Sequence, residues 1–166
     1  MQILVDADSC PRQVRELILR TSERTGIQVL FAANRSIPGI DGNKTKMDIC
    51  PPGEGSADDR IVELANPGDL VVTRDIPLAE RLVEARICVL DDRGRVYTEE
   101  NIRYCRSLRD FTVSLANNGL GLERIALYGK KELKAFADSF DREITRLMKK
   151  AAIQLPSLQG KDSESL

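Results

Sequence analysis

Aspartates recur where apolar runs stop. "QILVDADSCP" (2–11) drives an apolar stretch directly into Asp6 and Asp8. Asp58 and Asp59 follow Ser56-Ala57, Asp75 comes two residues after "DLVVT" (69–73), and Asp91 closes "ICVLD" (87–91) with Asp92 beside it. Two unit charges 4 Å apart repel by about 4 kcal/mol at an effective dielectric of 20. Three or four carboxylates brought together therefore need raised pKa values, arginine partners or a metal ion. The chain has no histidine, which removes Ser-His-Asp and Cys-His catalysis and nearly every familiar zinc site. An all-oxygen ligand set suits Mg²⁺ or Mn²⁺, and such an ion can activate water and neutralise charge on a phosphoryl group.

Each carboxylate also has an ordinary structural use. Asp75 can cap a helix that begins at Pro77. Asp58 and Asp59 can complement a helix dipole and complete a capping box with Ser56. Asp91 and Asp92 can belong to the turn before Gly94. Asp6 is the hardest to account for in this way, because it follows a buried strand with no turn between.

The elements that must position these residues read clearly in places. Ile3–Val5 has a strand pattern. Pro11 suits the first turn of a helix whose apolar positions are Val14, Leu17, Ile18 and Thr21, and Gly26 stops it. "IQVLFAAN" (27–34) is a second strand, 35–46 a long loop carrying Arg35, Lys44 and Lys46, and "MDIC" (47–50) a short strand. A helix from Ser56 ends at Pro67-Gly68, followed by the strand "DLVVT", a helix from Pro77 with Leu78, Leu82 and Val83 inside, and the strand "ICVLD". Thr98 caps a helix expected to pack through Ile102, Cys105, Leu108, Thr112 and Leu115. The segment 119–129 reads as loop. The last helix shows the stripe Leu133, Phe136, Ala137, Phe140, Ile144, Leu147 and Met148. Strands alternating with helices predict an α/β fold of three layers, α/β/α, around a mostly parallel sheet. In such sheets ligands bind beyond the carboxyl ends of the strands, the end at which the aspartates stand.

At 166 residues the chain suits one domain, expected over 1–150, with a polar disordered tail over 151–166. Lys plus Arg number 25 against 26 for Asp plus Glu, so nucleic acid would have to be met by a local patch. No run approaches the ~18 apolar residues of a membrane span, and the N-terminus lacks a basic leader. A cytoplasmic protein is therefore expected, with no membrane partner; self-association stays open. The four cysteines are scattered and read as reduced, packed thiols.

"VDADSCP", "ADDRI", "GDLVVTRDIPLA", "RGRVYTEENI" and "RDF" occur in an order that resembles the YaiI/YqxD family of bacterial proteins over roughly residues 2–148. That family is similar in turn to the PIN-like nuclease superfamily, whose acidic residues hold divalent metal for RNA cleavage. The resemblance implies a PIN-like fold, metal ligation by Asp6, Asp58 and Asp75 with Asp8 as an additional ligand, and a weaker candidate in Asp59. The chain departs from the family pattern at Gly55, where an acid is usual, at Asp91-Asp92, where Asn-Pro is common, and in 120–128, which lack a Gly-Gly-Pro stretch. The leading expectation is an Mg²⁺- or Mn²⁺-dependent ribonuclease with Asp6, Asp8, Asp58 and Asp75 catalytic. Thr73 would bond a carboxylate or phosphate, and Arg35, Lys44, Lys46 and Arg74 would contact the RNA backbone. The alternatives are a silent PIN-like module binding RNA or protein, and a haloacid-dehalogenase-type phosphatase built on Asp6-x-Asp8.

Overall fold

The computed structural model describes residues 1–40, 42–120 and 127–154. Its elements are β1 (Gln2–Asp6), α1 (Arg12–Thr25), β2 (Gln28–Ala33), β3 (Thr45–Ile49), α2 (Ser56–Leu64), β4 (Leu70–Val72), α3 (Ile76–Glu84), β5 (Cys88–Leu90), β6 (Val96–Tyr97), α4 (Glu99–Asn117) and α5 (Lys130–Gln154). The strands form one sheet in the order β3-β2-β1-β4-β5-β6. All neighbours are parallel except β5 and β6, which pair antiparallel through Val89 with Tyr97 and Leu90 with Val96.

Alternation along the strands divides the core in two, as a sheet covered on both faces requires. Ile3, Val5, Val29, Phe31, Leu70 and Val72 face one way, against Val14 and Ile18 of α1 and Phe136, Phe140 and Ile144 of α5. Leu4, Ala32, Val71 and Val89 face the other way, against Ile61 of α2, Leu78 and Leu82 of α3, and Ile102 of α4. The expected three-layer α/β/α architecture is therefore present. The tail segment expected from 151 is helical as far as Gln154; 155–166 lie outside the described residues, as does 121–126 of the expected loop.

Two features were not expected. The first is β6, only two residues long. Its approach to β5 is set by the turn between them, where Asp91 Oδ1 accepts from the backbone N–H of Arg93 (2.9 Å) and Arg95 (2.8 Å). Gly94 in that turn has φ +88°, and a Cβ there would lie 2.4 Å from the Ala135 carbonyl oxygen. Only glycine lets α5 approach so closely. The second is α4. Thr98 and Asn101 form a capping box, but of the face expected to pack only Ile102 and Cys105 are buried. α4 packs chiefly on α3, and a helix of 19 residues outruns one of 9.

Candidate functional site

The chain leaves β1 toward β2 and β3 on one side, then returns through α2 to β4 on the other. This reversal leaves a crevice beyond the carboxyl ends of β1 and β4. Asp6, the last residue of β1, sits at its floor and is 6% exposed. Asp6 Oδ2 accepts hydrogen bonds from Ser9 Oγ and Thr73 Oγ1, both at 2.9 Å. Thr73 lies just past β4, and its hydroxyl oxygen accepts from the Asp75 N–H at 3.0 Å. Burial raises the Asp6 pKa; the two hydroxyls oppose the rise, and the charges of Asp75 and Asp8 add to it.

Asp75 caps α3, its Oδ1 accepting from the Leu78 N–H at 2.8 Å. Asp8 accepts from the Asn34 N–H at 2.8 Å and lies 3.6 Å from Arg35 Nε. Asp58 comes from the first turn of α2. No capping box forms there: the N-cap is Gly55 at φ +78°, without a side-chain cap. The Ser56 hydroxyl instead engages the Pro51 carbonyl (2.6 Å) and the Asn34 side-chain oxygen (2.8 Å). The Asp58 carboxyl lines the crevice, and its pKa is pushed up to about 6 by burial first, then by Asp75 and Asp6, with Arg81 opposing.

Asp6, Asp8, Asp58 and Asp75 line one open cleft of about 520 Å³, together with Ser9, Asn34 and Arg74. They surround it rather than close on a point. Among the described residues no three acidic or thiol side chains lie near enough to hold one ion, so the compact acidic cluster expected from the sequence is not found. The reason is local. Asp75 is drawn to its helix N-terminus, Asp8 to the Asn34 backbone, and Asp6 to two hydroxyls. In donor chemistry the four carboxylates fit a hard, oxygen-seeking divalent cation.

The basic candidates divide. Arg74 lines the cleft but leans on Asp92, with Nε 3.5 Å from Oδ1. Arg35 stands at the rim beside Asp8. Lys46 is level with Leu30 in β3 and Lys44 precedes that strand, its carbonyl accepting from Val29 N–H. Both lysines therefore stand at the far end of β3 from the cleft. Asp59 is exposed and pairs with Arg81 at 2.9 Å. Asp91 is consumed by its turn, and neither it nor Asp92 lines the cleft.

Asp92 belongs to the same turn in the sequence, yet its place is different. It is buried, its Oδ2 has no hydrogen-bond partner among the described residues, and burial raises its pKa. It borders a small void shared with Asp6, Ser9, Cys10, Thr73 and Arg74. The signal in the sequence is the doubling of the acid: one carboxylate satisfies the turn, and the second is surplus to it. The Cys10 and Cys88 thiols are raised by burial to about 12 and about 11, which makes them poor nucleophiles. Among the described residues no helix is long and apolar enough to cross a membrane.

Known proteins are similar to this sequence over nearly its whole length. The model of the uncharacterized YaiI/YqxD family matches residues 4–146. A UPF0178 protein of Treponema pallidum is 44% identical, covering 97% of each chain. One from Syntrophobacter fumaroxidans is 42% identical over 90% of this chain and 97% of its own, and one from Treponema denticola is 41% identical over 90% and 95%. No solved structure matches the chain. The strand-end acids, the α/β/α layers and a match over nearly the whole length agree: the chain belongs to the YaiI/YqxD family.

Proposed function

We propose that the chain is a divalent-metal-dependent phosphodiester hydrolase acting on RNA. The observation that carries this reading is the cleft itself: four carboxylates from three separate segments face one open crevice at the switch point of the sheet, and Asp58 among them has no hydrogen-bond or ion-pair partner within the described residues. Asp6, Asp58 and Asp75, with Asp8, would hold Mg²⁺ or Mn²⁺, which when bound supplies activation of water and neutralisation of phosphoryl charge. The chain's own residues supply orientation. Ser9 and Thr73 fix one oxygen of Asp6 and so leave the other to the cleft. Thr73 also ties Asp6 to the backbone of Asp75, so the two acids move together. Arg74 at the wall and Arg35 at the rim offer the cations that a phosphate backbone needs.

The absence of a ready-made cage of three acids among the described residues favours a second reading, a module that binds RNA or a protein without cleaving it. One experiment decides between them. The full chain is incubated with labelled single-stranded RNA in Mg²⁺, in Mn²⁺ and with chelator. Cleavage that needs the metal and is lost in Asp58→Asn supports the hydrolase. RNA retention without cleavage in either metal supports the binding module.

A further inference from the structure

A second cavity, of about 560 Å³, lies at the opposite end of the sheet from the acidic cleft. Gly68 and Ile87, which precede β4 and β5, line it, together with the last turns of α5 and the junction of β6 and α4. Its size is that of a small-molecule site. Val83, Ile87, Val96, Tyr97 and Leu147 give it an apolar wall, and Arg86, Arg146 and Lys150 give it charge.

The backbone of Arg86 singles this cavity out. Among the described residues Arg86 is the one residue other than glycine with a positive φ, +60°. It follows Ala85 at the end of α3, where the Arg86 N–H donates to the Val83 carbonyl and the Ile87 N–H to the Leu82 carbonyl. This pair of bonds is a helix stop that favours glycine at its left-handed position, and α1 does end on Gly26 at φ +73°. A Cβ in that conformation is strained. Strain kept at a residue that glycine would relieve points to use of its side chain, and here the side chain lines the cavity.

The free charges say what the cavity takes. Arg146 is occupied by Glu143 at 2.7 Å. The side chains of Arg86 and Lys150 have no ion-pair or hydrogen-bond partner among the described residues. The one acid in the lining, Glu99, stands in the first turn of α4, where a helix N-terminus favours negative charge. Two unpaired cations beside an apolar wall suit a doubly charged anion carried on an apolar body. We propose that this cavity binds a small phosphate monoester, with the phosphate held by Arg86 and Lys150 and an apolar or aromatic body laid against Val96, Tyr97 and Leu147. The site is separate from the acidic cleft and does not rest on the hydrolase reading.

Amide NMR spectra of the full chain, titrated with phenyl phosphate and with AMP in the presence of chelator, test this. The expected result is saturable shifts at Arg86, Ile87, Tyr97 and Lys150, with Asp6, Asp58 and Asp75 unmoved. Adenosine, which lacks the phosphate, and inorganic phosphate, which lacks the body, should each bind about tenfold or more weakly than AMP. Arg86→Gly should weaken AMP binding by a similar factor and yet melt at or above the wild type, because glycine suits the backbone there. Lys150→Gln should weaken AMP and leave adenosine unchanged. The proposal is overturned by the absence of saturable shifts with both monoesters, by shifts confined to the acidic cleft, by inorganic phosphate binding as tightly as AMP, or by undiminished AMP binding in either variant. It is overturned equally by an Arg86→Gly protein that melts well below the wild type, which would make the arginine side chain part of the fold.

Discussion

Asp6 and Asp69 make a natural pair for comparison. Both are carboxylates nearly as buried as the apolar core, 6% and 5% exposed, and they stand at opposite ends of neighbouring strands. Asp69, just before β4, is fully occupied. Its Oδ1 accepts from the Gln2 N–H (2.9 Å), and its Oδ2 accepts from Gln2 Nε2 (3.2 Å) and the Asn66 N–H (3.0 Å). It ties the start of β1 to the loop before β4. Asp6 receives two hydroxyls on a single oxygen, and the charges that act on it, Asp75 and Asp8, are of its own sign. Burial of a carboxylate is therefore no sign of function by itself. The sign is burial without enough donors, next to other groups in the same condition.

The comparison breaks most visibly at Asp69. Asp69→Ala strands three buried or half-buried donors and should cost about 3 kcal/mol, a melting temperature lower by roughly 6–12 °C for a chain of this size. Any hydrolytic rate per folded molecule should be unchanged. A loss of that rate at full stability would put Asp69 in the machinery and undo the contrast.

Asp58→Asn is expected to act in the opposite sense and more weakly. Its folded pKa lies near 6, above the ordinary value of 3.8, so the native state binds the proton more tightly than the unfolded chain. The associated stability is complete below about pH 4 and is lost as pH rises through about 6. The amide does not titrate. Metal-free Asp58→Asn should therefore gain on the wild type by about 1 kcal/mol above about pH 7, after allowance for solvent screening, and by nothing at about pH 4. Thermal melts at the two pH values check this, and an equal difference at both would show that repulsion is not its source.

Smaller still is the expected effect of Lys44 and Lys46. They stand at the other end of a strand of five residues, roughly 16 Å long at ~3.3 Å per residue. For a short oligonucleotide confined to the cleft, replacing both with Ala should leave the salt dependence of binding unchanged. For a longer single strand the slope should fall by about 0.7 for each phosphate that a lysine no longer neutralises. A change already present with the short strand would mean that the loop before β3 folds back over the acids.

Local chemistry makes Asp6, Asp58 and Asp75 readable. Each interrupts or opens an element whose period is plain, and the alternation of strands and helices sets the end of the sheet at which they meet. Asp75 also takes the capping role its position suggests. What stays hidden depends on residues far apart in the chain. Gly94 looks like any turn glycine until α5, some forty residues later, presses its backbone against it. The apolar period of α4 runs the length of the helix, and only the shortness of α3 leaves its second half uncovered. Asp69 looks like a strand-opening residue, and its partners Gln2 and Asn66 become visible only when β1 and β4 lie side by side. Asp92 is hidden by Asp91, because a turn of that kind accounts for one acid and the sequence does not say which.

Asp6→Asn, melted with and without Mn²⁺, tests the central claim most directly. The amide keeps the shape and still accepts from Ser9 and Thr73, but it removes one charge from the cleft. Wild-type protein should be stabilised by Mn²⁺ in proportion to the logarithm of its concentration above the dissociation constant. Asp6→Asn should lose most of that stabilisation, and without metal it should melt at or above the wild type because repulsion from Asp75 and Asp8 is relieved. Undiminished stabilisation by Mn²⁺ in Asp6→Asn, or a metal-free variant that melts well below the wild type, would contradict the account and return Asp6 to the same class as Asp69.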